Sequence, residues 1–280
     1  MKIFKFLGLI IISCLLSISS KADPHYSFKI SKSGHGNNVM VFIPGFACSG
    51  RVWDETVKQY SDNNTCYILT FAGFAGQKAQ AHPDLLAWEE EIYQFLKNSK
   101  ISNPTIIGHS MGGVMAYLLA ADHPDLIAKI VVVDALPCLS AVFNPNFRSQ
   151  ANPDCSGIVA KFNSMTDSMV YALQKQSIPT MLADTSMRDT VIHWTILSDH
   201  NTEGLIYCQF ANMDVRAKLA AIHCPSLILL ESGFKYYNDA VLKQFALLKN
   251  TSIHFANKGL HFIMYDDKTW YFSELKAFLN

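Results

Sequence analysis

The pentapeptide GHSMG at residues 108–112 has the spacing that an exposed nucleophilic serine requires. It follows an apolar run at residues 105–107 and precedes residues 114–121, whose apolar pattern predicts a helix. Glycines on both sides of the serine allow a sharp turn, because a side chain there would collide with the neighbouring strand or helix. The helix then directs its first N–H groups at the reacting centre. We predict that Ser110 is a catalytic nucleophile, and a helix N-cap serine is the alternative.

The elements that must position this serine alternate along the chain. Short β-branched and aliphatic runs predict strands, and longer stretches with helical periodicity lie between them. The predicted strands are residues 39–43, 67–71, 105–107, 129–133, 227–230 and 252–255, and the predicted helices are residues 85–97, 114–121, 239–248 and 270–279. This alternation predicts an α/β fold, a mostly parallel sheet with helices on both faces.

The alternation is interrupted between about residues 138 and 217. Strand signals disappear there, and short helical pieces are separated by prolines and glycines. We predict a helical insertion that forms a cap over the strand ends. Its methionines and aromatic residues suggest a mainly apolar pocket for a small-molecule acyl substrate, although most of them are expected to form the core of the insertion itself.

The first 22 residues have the layout of an export signal. Two lysines precede an apolar run at residues 6–16, and small residues follow it. The run is too short to span a bilayer well. We therefore predict a signal peptide at residues 1–22, a mature domain at residues 23–280, and an exported protein, periplasmic or secreted, without a stable membrane span. Lipid attachment at Cys14 is the weaker alternative, because apolar residues follow that cysteine.

The composition limits the classes of partner and cofactor. A chain of 280 residues, half of them hydrophobic, can bury one large core without metal or disulfide support. Equal numbers of basic and acidic residues leave no net positive charge for holding nucleic acid. Metal and nucleotide motifs are absent from the sequence, so we predict no cofactor and no metal. For the cysteines, the favoured expectation is a Cys138–Cys155 disulfide, and the alternative is that they are buried free thiols.

A glycine-flanked serine between a strand and a helix, within alternating strands and helices, resembles the α/β-hydrolase family of serine enzymes. The resemblance covers about residue 38 to the C-terminus, apart from the insertion. It implies an eight-stranded sheet with the nucleophile after strand five, an acid after strand six or seven, and a histidine after strand eight. It also implies cleavage through an acyl-enzyme on Ser110.

The resemblance further implies the base and the groups that stabilise the oxyanion. His261 matches the family's base, because it follows the last predicted strand. The oxyanion donors would be the backbone N–H groups of Met111, which follows the nucleophile, and of Phe46. Phe46 lies in a Pro-Gly-Phe turn that resembles the family's His-Gly-X turn, with proline replacing histidine. His109 is interpreted as a packing residue of the turn.

The acid departs from the commonest family pattern. Gly233 and Phe234 stand where most relatives carry the catalytic aspartate. Asp134 ends the predicted strand at residues 129–133 and matches branches that place the acid after strand six, although an aspartate there can also cap a loop. Glu231 ends the next predicted strand. We predict Asp134 as the acid and keep Glu231 as the alternative.

The predicted function is hydrolysis of a carboxylic ester or a related acyl compound. The serine argues against haloalkane dehalogenases and epoxide hydrolases, which use an aspartate nucleophile in this fold. Carbon–carbon bond hydrolases, peptidases, lyases and acyltransferases share the serine and stay open. A ligand-binding protein without turnover is the alternative from another class, and the missing acid after strand seven is its only support.

Overall fold

A computed structural model describes residues 26–280 of the chain. The predicted signal peptide and Cys14 lie outside the described residues. The strands are β1 Phe28–Ser33, β2 Asn38–Ile43, β3 Asn64–Phe71, β4 Thr105–His109, β5 Lys129–Val133, β6 Ser226–Leu230 and β7 Thr251–Phe255. Their order across the sheet is β1-β3-β2-β4-β5-β6-β7. β1 is antiparallel to β3, and every other pair is parallel. The predicted mostly parallel sheet is confirmed.

The number of strands differs from the prediction. Within residues 26–280 the sheet has seven strands and not the eight that the family resemblance implied. The sequence did not predict β1, because only Phe28 and Ile30 of this strand are apolar and alternate with polar side chains. An edge strand has a single neighbour and needs few apolar positions. β1 forms because its register places Phe28 opposite Phe71 and Ile30 opposite Leu69 of β3.

The helices cover both faces of the sheet. They are α1 Asp54–Tyr60, α2 Leu85–Asn98, α3 Met111–Asp122, α4 Ser140–Phe143, α5 Ser156–Asn163, α6 Asp167–Met181, α7 Thr185–Ile196, α8 His200–Ala211, α9 Asn238–Gln244, α10 Ile263–Asp266 and α11 Lys268–Leu279. Alternate residues of β2 belong to different clusters: Val41 packs with α2 and α3, and Phe42 packs with α1 and α11. No helix within residues 26–280 is long and apolar enough to span a membrane.

Five helices, α4 to α8, lie between β5 and β6, close to the range predicted for the insertion. α5 packs against α8, and α6 packs against α7. Ile206 of α8 belongs to the core cluster on one face of the sheet, and Ile192 of α7 belongs to the cluster on the other face. The α5–α8 pair therefore contributes to the core on one face of the sheet, and the α6–α7 pair contributes to the core on the opposite face.

A disulfide joins α5 to α8, but its partners differ from the prediction. The bond links Cys155 to Cys208, and Cys138 is a buried free thiol, so the predicted Cys138–Cys155 pair is wrong. The two helices meet at a glycine, because a Cβ on Gly204 would lie 2.8 Å from the Cα of Val159. Cys208 lies one turn after that glycine, and Cys155 lies one turn before that valine. The close approach of α5 and α8 brings Cys155 next to Cys208, although the two cysteines are far apart in the sequence.

Candidate active site

Ser110 lies in the turn between β4 and α3 with φ 53° and ψ −121°. A positive φ with this ψ is strained for a serine and persists only where its surroundings hold it. The Ser110 N–H donates to the carbonyl of Val133 on β5 at 2.9 Å, and the Ser110 carbonyl accepts from the Gly113 N–H at 2.8 Å. The residue is 9% exposed. Hydrogen bonds on both sides therefore fix the serine at the carboxyl end of the sheet.

The glycines of the turn are required by close backbone approaches. A Cβ on Gly108 would lie 2.1 Å from the carbonyl oxygen of Gly112, and a Cβ on Gly112 would lie 2.3 Å from the carbonyl oxygen of Ile43. A Cβ on Gly45 would lie 3.1 Å from the Cβ of Ser110. The loop that follows β2 is therefore in direct contact with the turn that carries Ser110.

We expect Gly112→Ala to lower the free energy of unfolding by about 2–4 kcal/mol, because the new methyl group would collide with backbone that cannot move aside. Gly157→Ala is the matched control, since a Cβ there has nothing within 4 Å. Gly157 lies in α5, so alanine should leave the stability unchanged or raise it by up to about 1 kcal/mol. Urea unfolding measures both. A Gly112→Ala protein as stable as the wild type would contradict the close approach of α3 to β2.

Asp134 and His261 form a short hydrogen bond. Asp134 Oδ2 lies 2.6 Å from His261 Nδ1, and Asp134 Oδ1 accepts the backbone N–H of Glu231 at 2.6 Å. Asp134 follows β5 with φ 51°, a conformation that aspartate adopts more readily than most residues. The Asp134 side chain is 2% exposed and that of His261 is 25% exposed. The buried carboxylate of Asp134 therefore faces the partly exposed imidazole of His261. Of the two candidate acids, Asp134 and not Glu231 is hydrogen-bonded to His261.

Charges around His261 favour its protonated form. Burial by itself would lower the pKa of His261, but the hydrogen bond and charge of Asp134, followed by the charge of Glu231, outweigh burial and raise the pKa above its usual value of 6.5. Glu231 behaves differently. Burial, and then the charge of Asp134, raise the pKa of the Glu231 carboxyl to about 7, while His261 opposes the shift. The Glu231 carboxyl is therefore easier to protonate than an exposed glutamate, and the group of Glu231 that bonds to Asp134 is its backbone N–H.

His109 connects the two halves of the site. Its Nε2 lies 3.0 Å from the backbone carbonyl of His261, so Nε2 carries a hydrogen and donates it. Burial, followed by the charge of His261, lowers the pKa of His109 well below its usual value, which keeps the ring neutral. The ring also lies 4.6 Å from the ring of His261 and 4.9 Å from that of Phe262, measured between centroids. His109, which was interpreted from the sequence as a packing residue, therefore also connects the loop of His261 to the turn of Ser110.

Ser110 and His261 lie at the same end of the sheet, on segments that His109 connects. Within residues 26–280, no hydrogen bond joins the Ser110 hydroxyl to the His261 ring. The connection runs through His109, which precedes Ser110 and is hydrogen-bonded to the backbone of His261. Catalytic hydrogen bonds are often long or poorly aligned in enzymes without substrate, and they tighten in the complex with substrate.

The predicted oxyanion donors lie on either side of Ser110. Met111 is the first residue of α3, so its N–H has no partner within the helix. Phe46 follows Gly45 in the loop that contacts Ser110. In the described part of the chain, neither N–H donates to a backbone carbonyl in a turn or loop. Two backbone donors are therefore available on neighbouring segments beside the serine.

The ring of Phe46 lies between the fold's core and the insertion. It packs edge-on against Phe74 at 5.2 Å and against Tyr207 of α8 at 5.8 Å, and Tyr207 in turn packs against Phe162 of α5 at 5.9 Å. The sequence did not predict a role for Tyr207, because nothing in the local sequence relates α8 to the loop after β2. The site as a whole contains a serine, an imidazole, a buried carboxylate and two backbone N–H donors. These are the groups that acyl transfer requires.

Comparison with known proteins shows the family to which the chain belongs. The sequence profile of the alpha/beta hydrolase fold family matches residues 38–188. The chain is 29% identical over 206 residues to a pimeloyl-[acyl-carrier protein] methyl ester esterase of Vibrio cholerae, covering 70% of this chain and 76% of the esterase. It superposes on a crystal structure of a hydrolase from Pseudomonas aeruginosa with a TM-score of 0.75 at 12% identity, covering 90% of this chain and 94% of the other.

A second solved structure has the same fold. The enol-lactonase from Burkholderia xenovorans superposes with a TM-score of 0.73 at 14% identity, covering 90% of this chain and 96% of the lactonase. Both structural similarities concern the fold, whereas the profile match extends over more than half of the chain and includes the turn at Ser110. This protein belongs to the alpha/beta hydrolase fold family.

Proposed function

We propose that the protein is a serine hydrolase that cleaves a carboxylic ester or a related small acyl compound through an acyl-enzyme on Ser110. The observation that carries the proposal is the hydrogen bond of 2.6 Å between His261 Nδ1 and the buried Asp134, beside a strained, glycine-flanked serine. Relatives named as esterases support it, including the methyl ester esterase of Vibrio cholerae. Carbon–carbon bond hydrolases, peptidases and acyltransferases on this fold use the same kinds of group and are the alternatives.

In the proposed mechanism, His261 Nε2 takes the proton of the Ser110 hydroxyl while Ser110 Oγ attacks the carbonyl carbon of the substrate. The N–H groups of Phe46 and Met111 donate to the oxyanion. When the tetrahedral intermediate collapses, His261 returns its proton to the leaving alkoxide, which departs as an alcohol. Water then attacks the acyl-enzyme with His261 as the base, so that the acid is released and the serine is restored. Asp134 holds the imidazole in the required tautomer throughout.

We propose that the insertion between β5 and β6 is a cap that forms one wall of the substrate pocket. The support is the contact of Tyr207 on α8 with Phe46, whose backbone is a proposed oxyanion donor. An apolar wall excludes water and strengthens the hydrogen bonds to the oxyanion. A small apolar acyl group suits this wall.

The rate of hydrolysis should rise with pH through the pKa of His261. The base must be unprotonated to accept the proton of Ser110, and Asp134 and Glu231 raise the pKa of His261 above 6.5. We therefore expect kcat/KM to fall toward acidic pH with an apparent pKa above 6.5, because kcat/KM reports groups of the free enzyme. A buffer series with one nitrophenyl ester measures it. A profile whose acidic limb lies clearly below 6.5 would contradict the assigned charges around His261.

Reaction with a fluorophosphonate tests the proposed function directly. Wild-type protein should be modified at a single site, found on Ser110 by peptide mass spectrometry, and Ser110→Ala protein should stay unmodified. The same wild-type protein should hydrolyse short nitrophenyl esters. An unreactive Ser110 in folded protein, with no ester turnover, would favour a ligand-binding protein without catalysis.

We also propose that the protein is exported to the periplasm or the medium. The sequence of residues 1–22 supports this proposal, and so does the Cys155–Cys208 disulfide, since such bonds persist in oxidising compartments. Determination of the N-terminal residue of the protein produced in its native host would test it.

A further inference from the structure

The Asp266 carboxylate bridges the loop of His261 and the insertion. Asp266 is the last residue of α10. Its Oδ2 accepts the N–H of Leu260 at 3.1 Å, and its Oδ1 accepts the N–H of Asp184 at 2.8 Å. Leu260 directly precedes His261, and Asp184 caps the start of α7. Each oxygen of this carboxylate therefore has its own N–H partner, one on the loop and one on the insertion.

The residue on the other side of His261 is bound to the same part of the insertion. Phe262 donates its N–H to the carbonyl of Met181, the last residue of α6, at 3.2 Å. Arg188 of α7 braces the turn between α6 and α7, residues 181–184, because its guanidinium donates to two backbone carbonyls of that turn at 2.8 and 3.0 Å. The α6–α7 turn therefore holds both neighbours of His261 in the sequence.

A second aspartate holds the start of the same loop in a different way. Asp267 Oδ2 accepts the N–H groups of both Asn257 and Lys258, at 2.9 and 3.2 Å. Both donors lie in the loop itself. Asp267 thus needs one acceptor oxygen for its two hydrogen bonds, whereas Asp266 needs two oxygens for the bridge.

The position of the loop backbone controls the alignment of the His261 ring. Nδ1 of the ring lies 2.6 Å from Asp134 Oδ2, and Nε2 must face Ser110 in the proposed mechanism. Hydrogen bonds weaken steeply when their donors tilt. A displacement of about 1 Å can cost about a hundredfold in rate, even when every catalytic group is present. A loosened loop would therefore slow the reaction without removing a catalytic side chain.

We propose that Asp266 is a positioning residue, which ties the loop of His261 to the α6–α7 turn so that the insertion helps to set the orientation of the base. This inference rests on the proposed function, in which His261 takes the proton of Ser110. It gives the insertion a second role beside the proposed pocket wall. A displacement of the α6–α7 turn is carried to the imidazole through the backbone of Leu260 and Phe262.

Asparagine substitutions separate the bridge from the loss of a charge. Asp266→Asn offers one acceptor oxygen, and its NH₂ group must face the N–H of Leu260 or of Asp184, so the bridge is broken. Asp267→Asn is the matched control, because one carbonyl oxygen can accept both N–H groups that Oδ2 accepts. The two variants make the same change in size and charge at adjacent positions.

A second pair of variants changes the insertion and leaves the loop intact. Asp184→Pro removes the N–H that Asp266 accepts, and the φ of −62° at this residue suits proline. Asp184→Ala is its control, because alanine keeps the N–H while it loses the same side-chain cap of α7. The difference between these two variants therefore reports the bridge as seen from the insertion.

Two measurements report on His261 itself. Steady-state kinetics with a short nitrophenyl ester gives kcat and KM separately. Proton NMR of folded protein, at a pH at which His261 is protonated, detects the downfield signal of the hydrogen between His261 Nδ1 and Asp134. This signal reports the hydrogen bond without any substrate, and a general loss of stability does not move it in protein that stays folded.

We expect Asp266→Asn to lower kcat by about 10–100-fold and to weaken or shift the NMR signal. KM should change less than about threefold, because the pocket is left in place. Asp267→Asn should keep kcat within about threefold of the wild-type value, since its hydrogen bonds are retained. Asp184→Pro should have a kcat at least about threefold below that of Asp184→Ala, together with a changed NMR signal.

Several results would contradict the inference. An NMR signal in Asp266→Asn that matches wild type overturns it, and so does a rise in KM at unchanged kcat, which indicates a damaged pocket. A loss of kcat in Asp267→Asn as large as in Asp266→Asn would assign the effect to charge. Equal kcat in Asp184→Pro and Asp184→Ala excludes the link to the insertion, and this pair decides if Asp266→Asn does not fold. Wild-type protein without ester turnover or fluorophosphonate labelling would instead overturn the proposed function.

Discussion

Replacement of Ser110 by alanine should lower kcat/KM for nitrophenyl butyrate at least about a thousandfold, because the acyl-enzyme can no longer form. The remaining activity would come from the N–H donors and from His261 acting on water. Steady-state kinetics measures the loss. The fold should be preserved, since alanine at this position has the same backbone strain that serine has at φ 53°.

Two observations separate the loss of the nucleophile from loss of structure. The thermal unfolding temperature of Ser110→Ala should stay close to that of wild-type protein, because the hydrogen bonds that hold the turn involve the backbone of Ser110. The variant should also keep its affinity for a substrate-like ester. If Ser110→Ala hydrolyses esters at the wild-type rate, the proposed mechanism is excluded.

Asp134→Asn should lower kcat by about 10³–10⁴-fold with little change in stability. Asparagine tolerates φ 51° as well as aspartate does, and its carbonyl oxygen can still accept the Glu231 N–H. Its NH₂ group would then face His261 Nδ1, which must become an acceptor. The hydrogen of the imidazole moves to Nε2, so the ring can no longer take the proton of Ser110. Kinetics with one ester, together with urea unfolding, measures both quantities.

Glu231→Gln is the matched variant, because it changes the second candidate acid and keeps the backbone N–H that supports Asp134. We expect kcat to change less than about tenfold, since the Glu231 carboxyl affects His261 only through its charge. The opposite pattern, a severe loss in Glu231→Gln and a mild one in Asp134→Asn, would move the role of the acid to Glu231.

The sequence predicted the parts of the site that depend on neighbouring residues. Ser110, its flanking glycines and the strand and helix on either side form one continuous segment, so spacing alone indicates the sharp turn. The strand at residues 129–133 was predicted with the bounds it has, because four consecutive β-branched residues after Lys129, in a buried parallel strand, leave a clear signal. The edge strand Phe28–Ser33 leaves almost none.

What the sequence determined by itself was the α/β alternation, the turn at Ser110 and a short set of candidates for the acid and the base. The tertiary structure placed Asp134, and not Glu231, in a hydrogen bond with His261. It also paired Cys155 with Cys208, joined His109 to the backbone of His261 and brought Tyr207 against Phe46. The physical reason is the range of the interactions. Periodicity and turn chemistry act over a few residues, whereas hydrogen-bond partners and ring contacts depend on which distant segments the packed sheet brings together.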